Sequence, residues 1–345
     1  MGDNLKLNTL FRCDGSVEIG LGHVVRCLAL ADELKENYGC NIYFAMRRSE
    51  LGISQVKESY PIFKSNEQIF DYEDWLSDCI KKSNAEILIM DIRDGLTIEQ
   101  LKAIKKKTGI KVVTLDDPED KRLEADLAFY PPIPQLEKTN WDEFQGVLYV
   151  GWEFVILRKE FSKTYPKPNN SIPNILVSMG GTDEKNMTDF VVNSLNEIKE
   201  VFKAIILVGP GYSHLEKLES NLKLVNYKFE LYQNPDNVAE VMSTANLAII
   251  SFGVTAYELA ALKIPSIYFC LTCDHEESST LFEHEGIGKT ISQYSSINKE
   301  KFIRALSSLV SNQTILNEMS IKASSITLSD LHTISSSILR QTVYE

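Results

Sequence analysis

The sequence predicts an α/β protein built from two doubly wound domains, and three observations lead there. Short apolar runs alternate with amphipathic stretches as far as Leu115; the rhythm lapses around Pro131-Pro132 and Pro134; and it restarts after Tyr165–Pro173 (YPKPNNSIP), which has the composition of a linker. At 345 residues the chain also exceeds the usual single domain of about 100–200 residues. The domains expected from these breaks are 1–163 and 174–326, with 327–345 a C-terminal helical segment that packs back on the N-terminal domain.

Leu7–Cys13 reads as the first strand, followed by a helix over Val24–Glu36 in which Val25, Leu28, Ala29 and Ala31 fall near helical spacing. Ile42–Ala45 is a second strand, with helices near Leu51–Ser59 and Tyr72–Lys81. Glu86–Asp91 (EILIMD) is too apolar for one buried face and suits a parallel strand covered on both sides. Thr97–Lys106 is helical with Thr97 as N-cap, and Lys111–Leu115 is another buried strand. In the second half, Ile175–Val177, Ala204–Val208, Phe229–Tyr232, Leu247–Ile250 and Ser266–Phe269 read as strands. Helices fall near Met187–Lys199, Val238–Ser243, Thr255–Leu262, Ser278–Glu285, Lys299–Val310 and Leu328–Leu339. Two such domains joined by a linker form a cleft, and ligands of open α/β sheets sit outside the carboxyl ends of the strands.

Composition narrows the partners. Lys+Arg 36 against Asp+Glu 48 leaves a net charge of −12, which repels nucleic acid and anionic membranes. The run Lys105–Lys107 is a solvated helix end, far short of the ~6–10 phosphate contacts of a nucleic-acid binder. No apolar run approaches the ~18–20 residues of a membrane span, and the start carries no secretory apolar core, with Lys6 where myristoylation wants Ser or Thr. The six cysteines are sparse and read as reduced thiols in a cytoplasm. Cys270 and Cys273 form a CxxC, but directly after a buried strand they read as core and rim residues, so no metal is expected. Asp116-Asp117 could serve acid–base work, although capping a turn is the commoner role of such a pair.

Three strand-to-helix turns carry unusual residues. In Cys13–Arg26 (CDGSVEIGLGHVVR), Gly20 and Gly22 relax the backbone and a helix opens at or just after His23. Near a helix N-terminus the imidazole is held neutral, as a general base requires; the plainer alternative is that His23 caps the helix or fills a gap. In Ser178–Asn186 (SMGGTDEKN), Gly180-Gly181 free amides to cradle a pyrophosphate, with Thr182 or Asp183 capping the next helix; a plain capped turn would look the same. In Ser251–Glu258 (SFGVTAYE), Gly253 opens a helix and Glu258 lies one turn in, where a carboxylate can accept both hydroxyls of a ribose. Thr255–Glu258 also fits a capping box. Asp91, ending EILIMD, is placed to hydrogen-bond a ligand or His23.

These residues resemble a known family. Arg12, Asp14, Ile19, Gly20, Gly22, His23 and Arg26 match the Arg-x-Asp strand end and Ile-Gly-x-Gly-His-x-x-Arg opening of the PseG/SpsG family. Met179–Asn186 (MGGTDEKN) matches its second signature, Leu157–Phe161 (LRKEF, with Arg158) resembles the segment before its linker, and SFGVTAYE stands at the glutamate turn shared with MurG-type glycosyltransferases. The resemblance implies a GT-B architecture of two Rossmann-like domains facing a cleft, and hydrolysis of UDP-2,4-diacetamido-2,4,6-trideoxy-β-L-altrose in pseudaminic acid biosynthesis. In that scheme His23 is the base that activates water, and Asp14 and Arg26 position the sugar or the histidine. Gly180, Gly181, Thr182 and Glu258 hold the nucleotide, with Asp183, Asn186, Ser251, Gly253 and Thr255 in the same turns. No metal or cofactor is needed, because main-chain donors hold the leaving pyrophosphate. Where MurG-like relatives carry side-chain amides near the donor sugar, this chain has Asp274 and His275 in Cys273–Ser279 (CDHEESS).

The expectation is therefore a cytoplasmic UDP-sugar hydrolase. An inverting glycosyltransferase using the same donor shares every motif, and a catalytically silent binding subunit that fixes other enzymes of the same sugar pathway is a third reading.

Overall fold

The computed structural model describes residues 6–16, 19–47, 49–65, 71–166, 172–293, 297–328 and 330–343; the very start of the chain and the middle of the Pro-rich linker (167–171) lie outside them. The chain divides into two compact units, one of Met1–Pro132, Thr139–Arg158 and Ser329–Glu345, the other of Ile133–Lys138 and Lys159–Leu328.

The first unit is a parallel sheet of β1 (Asn8–Cys13), β2 (Asn41–Arg47), β3 (Ile62–Ser65), β4 (Ile87–Asp91), β5 (Lys111–Leu115), β6 (Leu127–Tyr130) and β7 (Val147–Val150). Its order is β3-β2-β1-β4-β5-β6-β7, so strand order reverses between β1 and β4. In such sheets that reversal is where ligands bind. Here Cys13 pairs in register with Asp91, which brings the ends of β1 and β4 side by side. All five residues of β4 are buried, as the apolar run EILIMD requires of a strand covered on both faces. The first-unit helices before the sheet's end are α1 (Gly22–Tyr38), α2 (Glu50–Val56), α3 (Tyr72–Ser83) and α4 (Ile98–Thr108). Each end has a local cause. Gly39 and Gly109 close α1 and α4 in the left-handed conformation. Thr97 and Gln100 form a reciprocal capping box that starts α4.

The second unit repeats the plan with β8 (Asn174–Ser178), β9 (Lys203–Val208), β10 (Lys228–Gln233), β11 (Leu247–Ser251), β12 (Ser266–Cys270) and β13 (Gly288–Gln293), in the order β10-β9-β8-β11-β12-β13. The reversal falls between β8 and β11, whose ends pair at Ser178 and Ile250. Its helices are α5 (Met187–Leu195), α6 (Leu215–Leu222), α7 (Val238–Ser243), α8 (Val254–Ala261), α9 (Cys273–His284), α10 (Lys299–Val310) and α11 (Gln313–Ser324). α12 (Leu331–Val343) belongs to the first unit, where Leu331, Ile334 and Ile338 join the core formed by Leu30, Leu34 and Phe44, and the Tyr38 hydroxyl donates to the His332 carbonyl.

Several elements were not evident in the sequence. β6 and β7 lie in the stretch where the rhythm lapses, because the connections there are short 3-10 turns (Asp120–Glu124, Pro134–Lys138) and not helices. β7 is an edge strand with Val147, Leu148 and Val150 exposed, so it shows no buried face to read. β3, β13, α6 and α11 likewise stand beyond the elements that the sequence predicts. α9 starts five residues before the expected Ser278, because Thr272 caps it by accepting from the His275 amide. Among the described residues no helix is long and apolar enough to cross a membrane.

Ile334 is fully buried. Ile334→Ala is expected to lower unfolding free energy by about 2–5 kcal/mol, measured by urea melts; a loss near zero would mean α12 is not part of the first unit's core.

Candidate active site

In the first unit several of the candidate groups converge where strand order reverses. α1 begins at Gly22, so His23 and Arg26 stand one turn apart on the same side of its first two turns. Both reach Asp91 at the end of β4. The His23 Nδ1 lies 2.6 Å from Asp91 Oδ1, while Arg26 Nε donates to Oδ2 at 2.7 Å and Arg26 Nη2 to Oδ1 at 2.8 Å. Asp91 is 2% exposed, so its charge has to be met inside the protein. Burial alone would push its carboxyl up; the charges of Arg26 and His23, with their hydrogen bonds, outweigh this and hold it well below the usual carboxylate range. Burial works against the Arg26 charge as well, yet Asp91 and Asp116 keep its pKa above the ordinary arginine value.

An ionised carboxylate only accepts, so its partner Nδ1 must be the donor. That fixes the tautomer and leaves the Nε2 lone pair to take a proton. With 19% of its side chain exposed, His23 is open enough to meet a substrate and buried enough to be held. The sequence offered two neighbours for the ring, the helix start and Asp91; the structure brings Asp91 into hydrogen-bond contact with it.

Arg26 Nη1 also reaches Asp116 Oδ2 at 3.2 Å. Asp116 has φ of 51° and donates its amide to the Phe129 carbonyl of β6, an unusual backbone for a non-glycine residue that aims the carboxylate at Arg26. The acidic pair thus divides: Asp116 joins the His23 cluster, while Asp117 accepts from the Glu119 amide and Lys121 and holds its own turn. Burial, only partly offset by Lys121, pushes the Asp117 carboxyl up to about 6.

Asp14 sits beside this cluster and not in it. Its two oxygens accept from the Arg47 amide (2.7 Å) and from Arg12 Nη2 (2.7 Å). Gly20 has φ of +76° and bridges Ser16, a turn that delivers the chain into α1. Val17 and Glu18 of the same motif lie outside the described residues. Arg158 ends the first unit's second segment, half-buried.

In the second unit the two glycine turns leave the adjacent strands β8 and β11. Gly180 has φ of +87°. The Gly181 carbonyl accepts from the Gly211 amide, and a Cβ on Gly209 would fall 2.5 Å from Gly181 Cα, so the loop after β9 (Gly209-Pro210-Gly211-Tyr212) braces the first turn from one side. On the other side nothing described lies within 4 Å of where a Cβ would stand at Gly181 or Gly253, and neither has a left-handed φ. Those two glycines leave the main chain open to approach. Asp183 and Asn186 serve the turn itself: Asp183 accepts from the Met187 and Thr188 amides at 2.8 Å each, capping α5, and Asn186 accepts from the Tyr212 hydroxyl. Burial pushes the Asp183 carboxyl up, against the hydrogen bonds from Thr188 and Met187. Thr182 is half-buried at the turn's tip.

Ser251 ends β11, Gly253 precedes α8 without a side-chain cap, and Thr255 lies inside the first turn. The capping box suggested by Thr255–Glu258 is therefore absent, since the helix starts two residues too early for it. Glu258 is buried, one turn into α8. Asp274 and His275 occupy the first turn of α9 and not a loop, a correction that follows from the Thr272 cap. Asp274 is exposed and its carbonyl accepts from Gln135, whereas the His275 ring lies 6.1 Å from that of Phe252 in the Ser251–Glu258 turn. Cys270 is buried and Cys273 exposed, both as free thiols, and no cluster of three metal-ligating side chains occurs among the described residues.

A depressed carboxyl pKa contributes stability that is present above its unfolded value of about 4 and lost as pH falls toward the folded one. Asp91→Asn is thus expected to cost about 3 kcal/mol equally at pH 8 and pH 5, with the gap to wild type closing only below about pH 4. Denaturant melts across that range check this; a gap that closes between pH 8 and 5 contradicts it.

Comparison with known proteins shows what the chain is similar to. Residues 174–333 match the glycosyltransferase family 28 C-terminal domain. The chain is 28% identical over 285 residues to the UDP-2,4-diacetamido-2,4,6-trideoxy-beta-L-altropyranose hydrolase of Campylobacter jejuni, covering 81% of this chain and 97% of that one. It is 24% identical over 304 residues to the spore coat polysaccharide biosynthesis protein SpsG of Bacillus subtilis, covering 87% and 88%. An uncharacterized Methanocaldococcus jannaschii protein is 31% identical over 266 residues, 74% of this chain, which spans only 54% of that relative's length. Among solved structures, MurG of Acinetobacter baumannii superimposes with a TM-score of 0.72 at 16% identity, covering 97% of this chain and 99% of that one. The chain is a relative of the PseG and SpsG proteins, with the two Rossmann-like domains of the GT-B fold and a family 28 match over its second half.

Proposed function

We propose that the protein is a nucleotide-sugar hydrolase of surface polysaccharide biosynthesis, releasing UDP and free sugar from a UDP-activated amino sugar. The observation that carries this reading is the His23–Asp91–Arg26 arrangement at the carboxyl end of the first sheet. Water gives a proton to His23 Nε2 as its oxygen attacks the anomeric carbon; the bond from that carbon to the diphosphate oxygen breaks, and UDP departs with the electron pair. Asp91 holds the ring through Nδ1 and compensates the imidazolium that forms, as carboxylates do in other imidazole bases.

The second unit's turns take the nucleotide. The open main chain at Gly181 and Gly253 supports a diphosphate held by amides, which an acidic chain favours over lysines, and Glu258 takes the ribose hydroxyls. Ser251, Thr255 and Thr182 line the same turns. Asp183 and Asn186 act by shaping the cradle, and Asp14 by shaping the loop that leads to His23. His275 and Asp274 are assigned to the sugar side, and Arg158 to the substrate. The buried free cysteines fit a reducing cytoplasm. The sugar of the Campylobacter relative's name is the first substrate to try.

The family 28 domain and the MurG likeness favour a second reading, in which a sugar or lipid hydroxyl replaces water and the enzyme is an inverting glycosyltransferase. Enzyme incubated with UDP-sugars and no acceptor separates them. Steady UDP release is expected, and release only on adding an acceptor favours the transferase. His23→Ala is expected to lower kcat by about 10²–10⁴-fold while UDP affinity by calorimetry is kept; near-wild-type turnover removes the base assignment. Glu258→Gln is expected to weaken UDP binding by about tenfold with kcat little changed.

A further inference from the structure

Arg12, in β1, is fully buried, among the largest side chains so enclosed in the described residues. A guanidinium has five N–H donors, and all five are used here. Nε donates to the Tyr72 hydroxyl (2.8 Å), Nη1 to the carbonyls of Cys13 (3.1 Å) and Ala45 (3.3 Å), and Nη2 to Asp14 (2.7 Å) and Asp94 (2.5 Å). The Tyr72 hydroxyl donates on to Asp94, and Arg47 reaches Asp94 as well as Asp14. The aromatic rings of Trp75 and Tyr72 stand 5.3 and 5.7 Å from the guanidinium carbon. Burial opposes the Arg12 charge, but Tyr72, Asp14 and Asp94 hold its pKa well above the ordinary value.

Burying a charge this completely is a poor way to gain stability, since well-packed apolar residues of similar volume do as well or better. What the arrangement supplies is geometry. Asp14 opens the loop that ends at His23, and Asp94 follows Asp91 by three residues, on the neighbouring strand's exit. One planar group fixes both loops, each by a charge-assisted bond. His23 and Asp91 meet at 2.6 Å only if those loops keep their relative position.

We propose that Arg12 is a positioning residue for the His23–Asp91 pair: its guanidinium ties the segment leading into the helix of His23, through Asp14, to the segment leaving the strand of Asp91, through Asp94, so that the Nδ1 hydrogen bond is preformed before substrate arrives. This rests on the reading of His23 as a base, and the test therefore includes a readout that needs no turnover.

Arg12→Met and Arg12→Lys are compared with Leu101→Ala, a variant of another buried residue of the same unit, at temperatures giving equal fractions folded. Three quantities are followed: kcat, KM, and exchange of the His23 Nδ1–H proton, seen downfield by NMR and assigned by its loss in His23→Ala. Arg12→Met is expected to lower kcat about 10–100-fold with KM within about twofold, and to speed Nδ1–H exchange at least tenfold, with Arg12→Lys between it and wild type. Leu101→Ala should leave all three unchanged. If Arg12→Met does not fold, Asp94→Asn, which removes one arm, is expected to show the same pattern more weakly. Wild-type exchange rates in the Arg12 or Asp94 variants, or equal changes in Leu101→Ala, overturn the proposal. Altered exchange in a protein that hydrolyses no UDP-sugar supports the positioning role while removing the proposed reaction.

Discussion

A carboxylate with almost no access to water governs the first unit. Asp91 can remain ionised there only because Arg26 meets it with two hydrogen bonds and His23 with a third, and each of these partners has its place set in turn. Arg26 must lie one helical turn beyond His23, which the spacing Gly-His-x-x-Arg provides. The helix must start at Gly22, which the left-handed Gly20 arranges. β4 must neighbour β1, which the reversal of strand order guarantees. Removing any of these leaves a buried charge unmet, so the constraint that orients the imidazole is also one that holds the sheet's carboxyl end together.

The second unit obeys a different constraint. At its strand reversal the features described are two glycine turns in which the main chain is open. Its glycines divide into two kinds. Gly209 and Gly211 are needed because other backbone or a threonine methyl presses against them from within the protein. Gly181 and Gly253 meet no such pressure and adopt no left-handed φ, so the main chain at both is open, Gly253 serving also as the N-cap of α8. The side chains around them, Asp183 and Asn186, are occupied in holding the turn's shape.

Much of this was legible in the sequence, and the rest was hidden for physical reasons. Apolar runs such as EILIMD and NILV announced central strands, and Thr97 announced a helix start, because the causes are local. His23 could be singled out from its glycine turn at a helix start, and Arg26 from the resemblance to a known family's opening motif. Asp91 at the end of EILIMD was placed to meet a ligand or His23, but that it would bind Arg26 as well, and that Asp116 would join them, depends on sheet order across 65 to 90 residues of separation, which no window of sequence contains. The web around Arg12 was hidden likewise, since Tyr72 and Asp94 come to it from distant segments. β6 and β7 escaped notice because 3-10 turns replace the helices that mark a βα rhythm. Reading Thr255 as a cap and Cys273–Ser279 as a loop failed through neighbours: Gly253 and Thr272 each start a helix earlier than the pattern suggests.

The measurement that bears most directly on the central claim is the tautomer of His23, read from the ¹⁵N shifts and two-bond couplings of its imidazole in labelled protein, above the pH at which the ring loses its charge. The arrangement at Asp91 requires hydrogen on Nδ1 and a bare, pyridine-like Nε2. Hydrogen on Nε2, or a rapid average of the two forms, would show that the carboxylate does not orient the ring and that no base is held ready.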